Sequence, residues 1–80
     1  MTAKELWTKL VNEGTGQLEN DGTTLIPKKE YKIKGDVIEK LVKNPDGNVT
    51  VIVRHVTVID HPGENIDYSI YGTPKHSMGD

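Results

Sequence analysis

Residues 36–60 read DVIEKLVKNPDGNVTVIVRHVTVID, and the conformation of this stretch decides the architecture of the chain. Its centre, NPDG at 44–47, has strong turn chemistry. Pro45 presets φ at the first central position, and Gly47 supplies the positive φ of a bulged hairpin. We therefore predict two antiparallel strands around this turn. The aliphatic spacing before the turn also fits one helical face, so a short second helix at 36–44 is the alternative.

The register of this hairpin follows from counting outward from the turn. Lys43 then lies opposite Asn48, and Val42 lies opposite Val49. Both strands place aliphatic side chains on the same side in this register, which a random pairing need not do. The residues that it gathers on one face are Ile38, Val42, Val49, Val51 and Val53.

Arg54 and His55 interrupt the β-branched run at 48–60. This run is predicted to be a strand, in which sequence neighbours point to opposite faces, so the two residues do not form a joint site unless a bulge reorients one of them. Arg54 is predicted to make a cross-strand ion pair with Glu39. His55 is predicted to be a neutral, hydrogen-bonded residue on the more apolar face, able to titrate near neutral pH if half-buried.

The N-terminal residues 2–13 are predicted to form an amphipathic helix. Thr2 and Glu5 have the capping-box spacing, and Gly14 is well placed to end the helix. Trp7 lies on the apolar stripe and is expected to anchor the helix in the core.

The remaining segments indicate a small antiparallel sheet. The fold class is therefore predicted as α+β, an N-terminal helix packed on a curled antiparallel β-meander of about four strands. Gly35 is expected to be a bulge or bend where one strand continues into the next. The predicted segments are a loop at 15–22, strands at 23–26, 30–34 and 66–72, a turn at 61–65, a single domain over 1–72 and a flexible tail at 73–80.

Composition narrows the class of protein. The chain has 80 residues, a formal net charge of −2, no Cys and no Phe, so its core is small and mainly aliphatic. A small secreted domain would usually contain disulfides, so the lack of Cys favours a reducing, cytoplasmic setting. The N-terminus has no apolar segment of the signal-peptide kind, and no window is long enough to span a membrane.

No motif for catalysis or cofactor binding is present. The histidines at 55, 61 and 76 are scattered, and neither serine lies in a nucleophile-elbow context. No glycine-rich loop follows a strand in the phosphate-binding pattern. We therefore expect a non-enzyme with no metal and no cofactor.

The first functional hypothesis is a small interaction module that binds a protein partner, or itself, through a sheet face or strand edge. One helix covers only one face of a sheet, so the other face needs a second cover, which a homo-oligomer could supply. The residues expected to form this binding surface are Ile52, Arg54, Val56 and Val58.

The alternative hypothesis is single-stranded nucleic-acid binding through a lysine stripe on the sheet, with an aromatic ring as a stacking surface. Interleaved acidic residues weaken this field, and the chain has a single Arg. The residues expected to carry this activity are Lys28, Lys29, Lys32, Lys34 and Tyr71.

Overall fold

Helix α1 and eight short strands make up the part of the chain that the computed structural model describes, residues 1–60 and 66–68. The α+β class and the N-terminal helix on an antiparallel sheet are confirmed, although the strands are more numerous and shorter than predicted. The element bounds are α1 Ala3–Glu13, β1 Gly16–Leu18, β2 Thr24–Pro27, β3 Tyr31–Ile33, β4 Asp36–Val37, β5 Lys40–Lys43, β6 Val49–Val53, β7 Val56–Ile59 and β8 Asp67–Tyr68.

Helix α1 has the predicted caps at both ends. The Thr2 hydroxyl accepts the Glu5 N–H at 3.2 Å, and the Glu5 carboxylate accepts the Thr2 N–H at 2.8 Å. Gly14 is left-handed, with φ 71°, and its N–H donates to the last carbonyls of the helix. These local bonds satisfy backbone groups that a helix end leaves without partners, so the helix boundaries follow directly from the sequence.

The turn at 44–47 is present, and 36–44 contains strands and no helix. The predicted register is wrong by one residue, because Lys43 lies opposite Val49 and not opposite Asn48. The Asn44 N–H donates to the Asn48 carbonyl at 2.8 Å, so these two residues close the loop and three residues form it. Gly47, with φ 92°, occupies the bulge position that makes this shorter loop possible.

The run at 48–60 is two strands and not one. β6 and β7 are joined by Arg54 and His55, with Val53 directly opposite Val56. Both turn residues have positive φ, 41° and 72°, the conformation that matches the twist of the flanking strands in a two-residue hairpin. His55 is therefore exposed in a turn rather than placed on an apolar face.

Lys34 and Gly35 form a second hairpin of the same kind. Their φ angles are 52° and 82°, and Ile33 lies opposite Asp36. The expectation that Gly35 marks a bend within a continuing strand is wrong, because the chain reverses there. Lys34 accordingly belongs to a turn and not to the strand that carries Lys32.

The segment predicted as a loop at 15–22 contains β1. Gln17 lies opposite Ile26 in an antiparallel pair with β2. The Asp21 carboxylate organises the connecting turn by accepting the Thr23 and Thr24 N–H groups at 2.9 and 2.8 Å. Pairing with β2 thus outweighs the turn-forming composition of this segment.

The strands form two sheets, ordered β1-β2-β5-β6-β7 and β4-β3-β8. Residues 36–43 belong to both, since β4 pairs with β3 and β5 pairs with β2 and β6. Ile38 lies at the junction and is fully buried. The predicted turn at 61–65, the predicted strand beyond residue 68, which includes Tyr71, and the predicted tail at 73–80 lie outside the described residues.

Within the described residues, one hydrophobic cluster lies between α1 and the sheets. Trp7 packs against its margin and is only partly buried; its indole N–H donates to the Thr23 carbonyl at 3.1 Å, and the Lys43 amine lies 4.9 Å from the ring centroid. The buried residues are Ala3, Leu6, Leu10, Leu25, Tyr31, Ile33, Ile38, Leu41, Val49, Val51, Val53 and Ile66.

Candidate interaction surface

The five-stranded sheet has one face against α1 and one face that no described residue covers. Helix α1 packs on β1, β2, β5 and β6, and buries the side that carries Leu25, Leu41 and Val51. We call the opposite side the open face. Strand alternation and the observed register place on it Gln17, Thr24, Ile26, Lys40, Val42, Thr50, Ile52, Thr57 and Ile59.

The open face is a mixture of β-branched aliphatic and hydroxyl side chains. Ile52 lies between Lys40 and Thr57 on neighbouring strands, and Thr50 lies between Val42 and Ile59. Such side chains favour strand conformation, and on this face they lie beside the polar side chains of Gln17 and Lys40.

Strand β7 is the outer strand of this sheet in the described chain. In an antiparallel pair, every second residue of a strand directs its N–H and C=O groups toward the neighbouring strand. Asp60 is one of the residues that face β6, because its N–H donates to the Val49 carbonyl at 2.8 Å, and Val58 and Val56 are the others. The backbone groups of Thr57 and Ile59 therefore point away from β6. Within residues 1–60 and 66–68, no partner strand accepts or donates to them.

The side chains of β7 are more exposed than those of the strands beside it. Val56 is 58% exposed and Ile59 is 52% exposed, whereas Val51 and Val53 on β6 are almost fully buried. Val58 packs partly against the core. This edge therefore combines apolar side chains with backbone groups that no strand of the described residues pairs, the combination by which one strand recruits another.

Arg54 lies at the tip of the β6–β7 hairpin. Its guanidinium pairs with Asp36, so the predicted ion pair with Glu39 is wrong. The reason is the turn at 54–55, which moves Arg54 out of the strand; the Glu39 N–H instead donates to the Ile52 carbonyl at 2.8 Å. The Arg54 side chain remains 75% exposed.

The four residues predicted to share a binding face lie on one hairpin but not on one face. Val56 and Val58 lie on the side of α1, and Ile52 lies on the open face. Because the chain reverses at the two-residue turn, Val56 pairs with Val53 and lies on the same face of the sheet. In one continuous strand the two residues would lie on opposite faces. Arg54 belongs to neither face.

Two residues of this edge, Thr57 and Ile59, were not predicted as surface residues. The sequence feature that could have identified them is the pair of adjacent polar residues, Arg54 and His55, that interrupts the β-branched run. His is enriched among non-glycine residues with positive φ, so RH is a permissible, although uncommon, turn pair. Splitting the run there would place Ile59 beside Ile52 on the open face.

The predicted lysine stripe is spread over a strand, a turn and a linking segment. Lys32 lies in β3, with Val37 and Asp67 at the neighbouring register positions, and its amine is 3.9 Å from the Glu30 carboxylate. Lys34 lies in the turn, so it does not continue the face of Lys32. Lys28 and Lys29 follow β2, and Tyr71 lies outside the described residues.

Two carboxylates have lowered pKa values for local structural reasons. Hydrogen bonds from the Thr24 hydroxyl, and then from the Thr24 and Thr23 N–H groups, lower the pKa of Asp21 to about 2. The Thr2 N–H, followed by the Thr2 hydroxyl, lowers the pKa of Glu5. Asp21 lines an open polar cleft with Glu19 and Lys40, but its oxygens already serve the turn.

No family model, curated protein or solved structure matches this chain. Within the described residues, no group of three His, Cys, Asp or Glu side chains is arranged to hold a metal ion. In the same part of the chain, no helix has the length and apolarity that crossing a membrane requires. The geometry of β7 and the open face is therefore the basis for any functional argument.

Proposed function

We propose that this chain is a non-catalytic interaction module that binds a protein through the β7 edge and the adjoining part of the open face. The observation that carries this proposal is the coincidence of two features on one strand. Thr57 and Ile59 direct backbone donors and acceptors outward, and the Val56 and Ile59 side chains beside them are more than half exposed. A strand from a partner, added along β7, would form hydrogen bonds with these backbone groups and would cover these side chains.

The absence of protective features on β7 supports this proposal. Edge strands usually carry lysine, proline or a bulge that discourages pairing with other chains. The sequence of β7 is VTVI, with none of these, and its pairing with β6 is regular. The opposite edge of the same sheet, β1, has three residues, one of them glycine, and is a poorer template.

Site-specific photo-cross-linking in the cells that produce the protein tests this proposal. A photoreactive amino acid replaces Ile59 on the β7 edge, and the control places it at Glu13, which is exposed on the helix. We expect discrete protein adducts from position 59 and none of the same mass from position 13. Equal labelling from both positions, or no adduct from position 59, would contradict the proposal.

Single-stranded nucleic-acid binding is the alternative proposal, and the exposed Lys28 and Lys34 support it. A short oligonucleotide at low salt would then shift the amide resonances of these residues, and the affinity would fall steeply as salt is added. The control is Lys28→Glu combined with Lys34→Glu, which reverses two charges at exposed positions. Unchanged spectra of the unmodified protein at low salt would rule this alternative out.

The lack of Cys supports a reducing compartment for either activity. Neither proposal requires a cofactor or a metal ion.

A further inference from the structure

We infer that two copies of this chain exchange their C-terminal units by opening at the Arg54–His55 turn. The C-terminal unit is the part of the chain after this turn, and its described residues are 56–60 and 66–68. In the exchanged dimer, β7 of each copy pairs with β6 of the other, in the register that a single chain forms with itself. The outward backbone groups of β7 take no part in this pairing, so the exchange goes beyond the proposed function and is independent of it.

The Arg54–His55 turn differs from the other hairpin turns of the described residues because it contains no glycine. Both of its residues have positive φ, 41° and 72°, a conformation that costs free energy for any residue with a Cβ. The other hairpin turns each place a glycine at a positive-φ position: Gly22 at 74°, Gly35 at 82° and Gly47 at 92°. A short, strained hinge favours exchange between copies, because the strain is released when the turn extends.

The sequence around this turn favours an extended chain. β-branched residues flank it on both sides, since β6 is VTVIV and β7 is VTVI. Arg and His are not among the residues that dominate tight turns. Pairing between β6 and β7 therefore imposes the reversal against the local preference. That pairing is equally complete when the two strands belong to different copies.

The C-terminal unit contacts the rest of the chain only through groups that a second copy also has, within the described residues. The Asp60 carboxylate accepts the Ala3 N–H at 3.3 Å, and the Ile66 N–H donates to the Met1 carbonyl at 2.6 Å. Ile66 is buried in the core, and β8 pairs with β3. All these groups precede the turn, so the second copy supplies each contact in the same geometry.

The ion pair between Arg54 and Asp36 opposes the opening of the turn. It is a weak restraint, because the Arg54 side chain is 75% exposed and exposed pairs contribute little. Association of two copies also costs translational and rotational freedom. We therefore expect the monomer to predominate in dilute solution and the exchanged dimer to accumulate when the protein folds at millimolar concentration.

A disulfide across the β6–β7 ladder distinguishes exchange from the association of closed chains. Thr50 and Ile59 are direct partners in this ladder, and the chain has no Cys of its own. Direct partners in antiparallel strands have Cα atoms about 4.5–5.5 Å apart, a distance that a disulfide spans. The variant with Thr50→Cys and Ile59→Cys is refolded at increasing concentration, oxidised and run on a denaturing gel without reductant. We expect a covalent dimer that increases with the folding concentration.

The matched control combines Val42→Cys with Thr50→Cys. Val42 lies opposite Thr50 in the pair of β5 with β6, and both residues precede the turn. Their disulfide therefore lies within one chain in the monomer and in the exchanged dimer, and this variant should run as a monomer at every folding concentration. Equal dimer bands from the two variants would show indiscriminate oxidation between chains and would contradict the exchange.

Substitutions at the turn test whether its strain drives the exchange. His55→Gly, added to the Thr50 and Ile59 cysteine pair, relieves the strain in both copies and retains Arg54. It should weaken dimer formation about tenfold. Asp36→Asn removes the opposing ion pair, and should raise the dimer fraction about twofold to fivefold. A dimer fraction that His55→Gly leaves unchanged would exclude the turn as the cause.

The cysteine pair also separates the exchange from the proposed function. No covalent dimer after refolding at millimolar concentration would overturn the exchange. A dimer in sedimentation whose Thr50–Ile59 disulfide stays within each chain would show that closed chains associate, and would overturn the exchange as well. Binding of another protein at the β7 edge is tested by cross-linking from position 59, and either result can hold without the other.

Discussion

The two faces of the five-stranded sheet have similar aliphatic residues but very different surroundings. On the side of α1, Leu41 and Val51 are fully buried. On the open face, Ile52 is half-buried and Ile59 is 52% exposed. β-branched side chains therefore specify strands on both sides, but only the helix determines which side becomes a core. No residue in the described part of the chain covers the open face or its edge, and the proposed function uses this surface.

The largest expected effect is the loss of a large side chain from the covered face. Leu41→Ala should lower the free energy of unfolding by about 2–5 kcal/mol, because it removes buried methyl groups and leaves a cavity under α1. Ile52→Ala on the open face is the control, and should cost less than about 1.5 kcal/mol because part of its side chain is already in water. Urea denaturation measures both, and equal losses would show that the two faces do not differ as described.

Gly16 tests how closely the helix approaches the covered face. A Cβ at this position would lie 2.9 Å from Leu25 Cδ1 and 3.1 Å from Leu10 Cβ. Gly16→Ala should therefore destabilise the protein by about 1–3 kcal/mol through overpacking. Gln17→Ala, on the open face of the same strand, should change stability by less than about 0.5 kcal/mol. A neutral Gly16→Ala variant would mean that β1 and α1 separate easily.

The Arg54–His55 turn determines which β7 residues belong to each face. His55→Gly should raise the free energy of unfolding by about 0.5–1 kcal/mol, since glycine adopts its φ of 72° without steric cost. Gly35→Ala in the turn between β3 and β4, where φ is 82°, should instead lower the free energy of unfolding. Thermal unfolding measures both changes, and destabilisation by His55→Gly would show that the imidazole makes a necessary contact.

The smallest effect concerns the turn that joins β1 to β2, at the opposite edge of the sheet. The pKa of Asp21 is lowered from 3.8 to about 2, so its charged form is favoured in the folded state. Its contribution to stability is therefore complete above about pH 4 and is lost as the pH falls through about 2.

Asp21→Asn should flatten this part of the curve of unfolding free energy against pH. The Glu5 pKa is lowered as well, so the two proteins must be compared over the same pH range to isolate Asp21. Curves that stay parallel would show that the turn does not depend on the carboxylate charge.

The helix and the turn at 44–47 were predictable because the groups that define them are close in sequence. The capping box joins Thr2 to Glu5, and the Gly47 N–H donates to the Asn44 carbonyl at 2.9 Å. The register was wrong by one residue because a three-residue and a four-residue loop use almost the same turn chemistry. Only the Asn44–Asn48 pair distinguishes them.

The predicted arrangement of the candidate surface differs from the observed one. The prediction put Ile52, Val56 and Val58 on one face, whereas Val56 and Val58 lie on the side of α1 and Ile52 lies on the open face. The error has one cause, the reversal at Arg54 and His55. Neither residue is a strong turn former, and the reversal is stabilised by pairing along β6 and β7 and by the contact of Arg54 with Asp36.

Local chemistry along the chain was enough to establish an N-terminal helix with both its caps, β-branched strands and a tight hairpin at Gly47. Bonds between residues a few positions apart do not require the rest of the protein. The burial of one sheet face, the positive φ of Arg54 and His55 and the exposure of β7 arise only in the folded chain. They depend on contacts between distant segments, and alternating side chains alone do not show which face the helix covers.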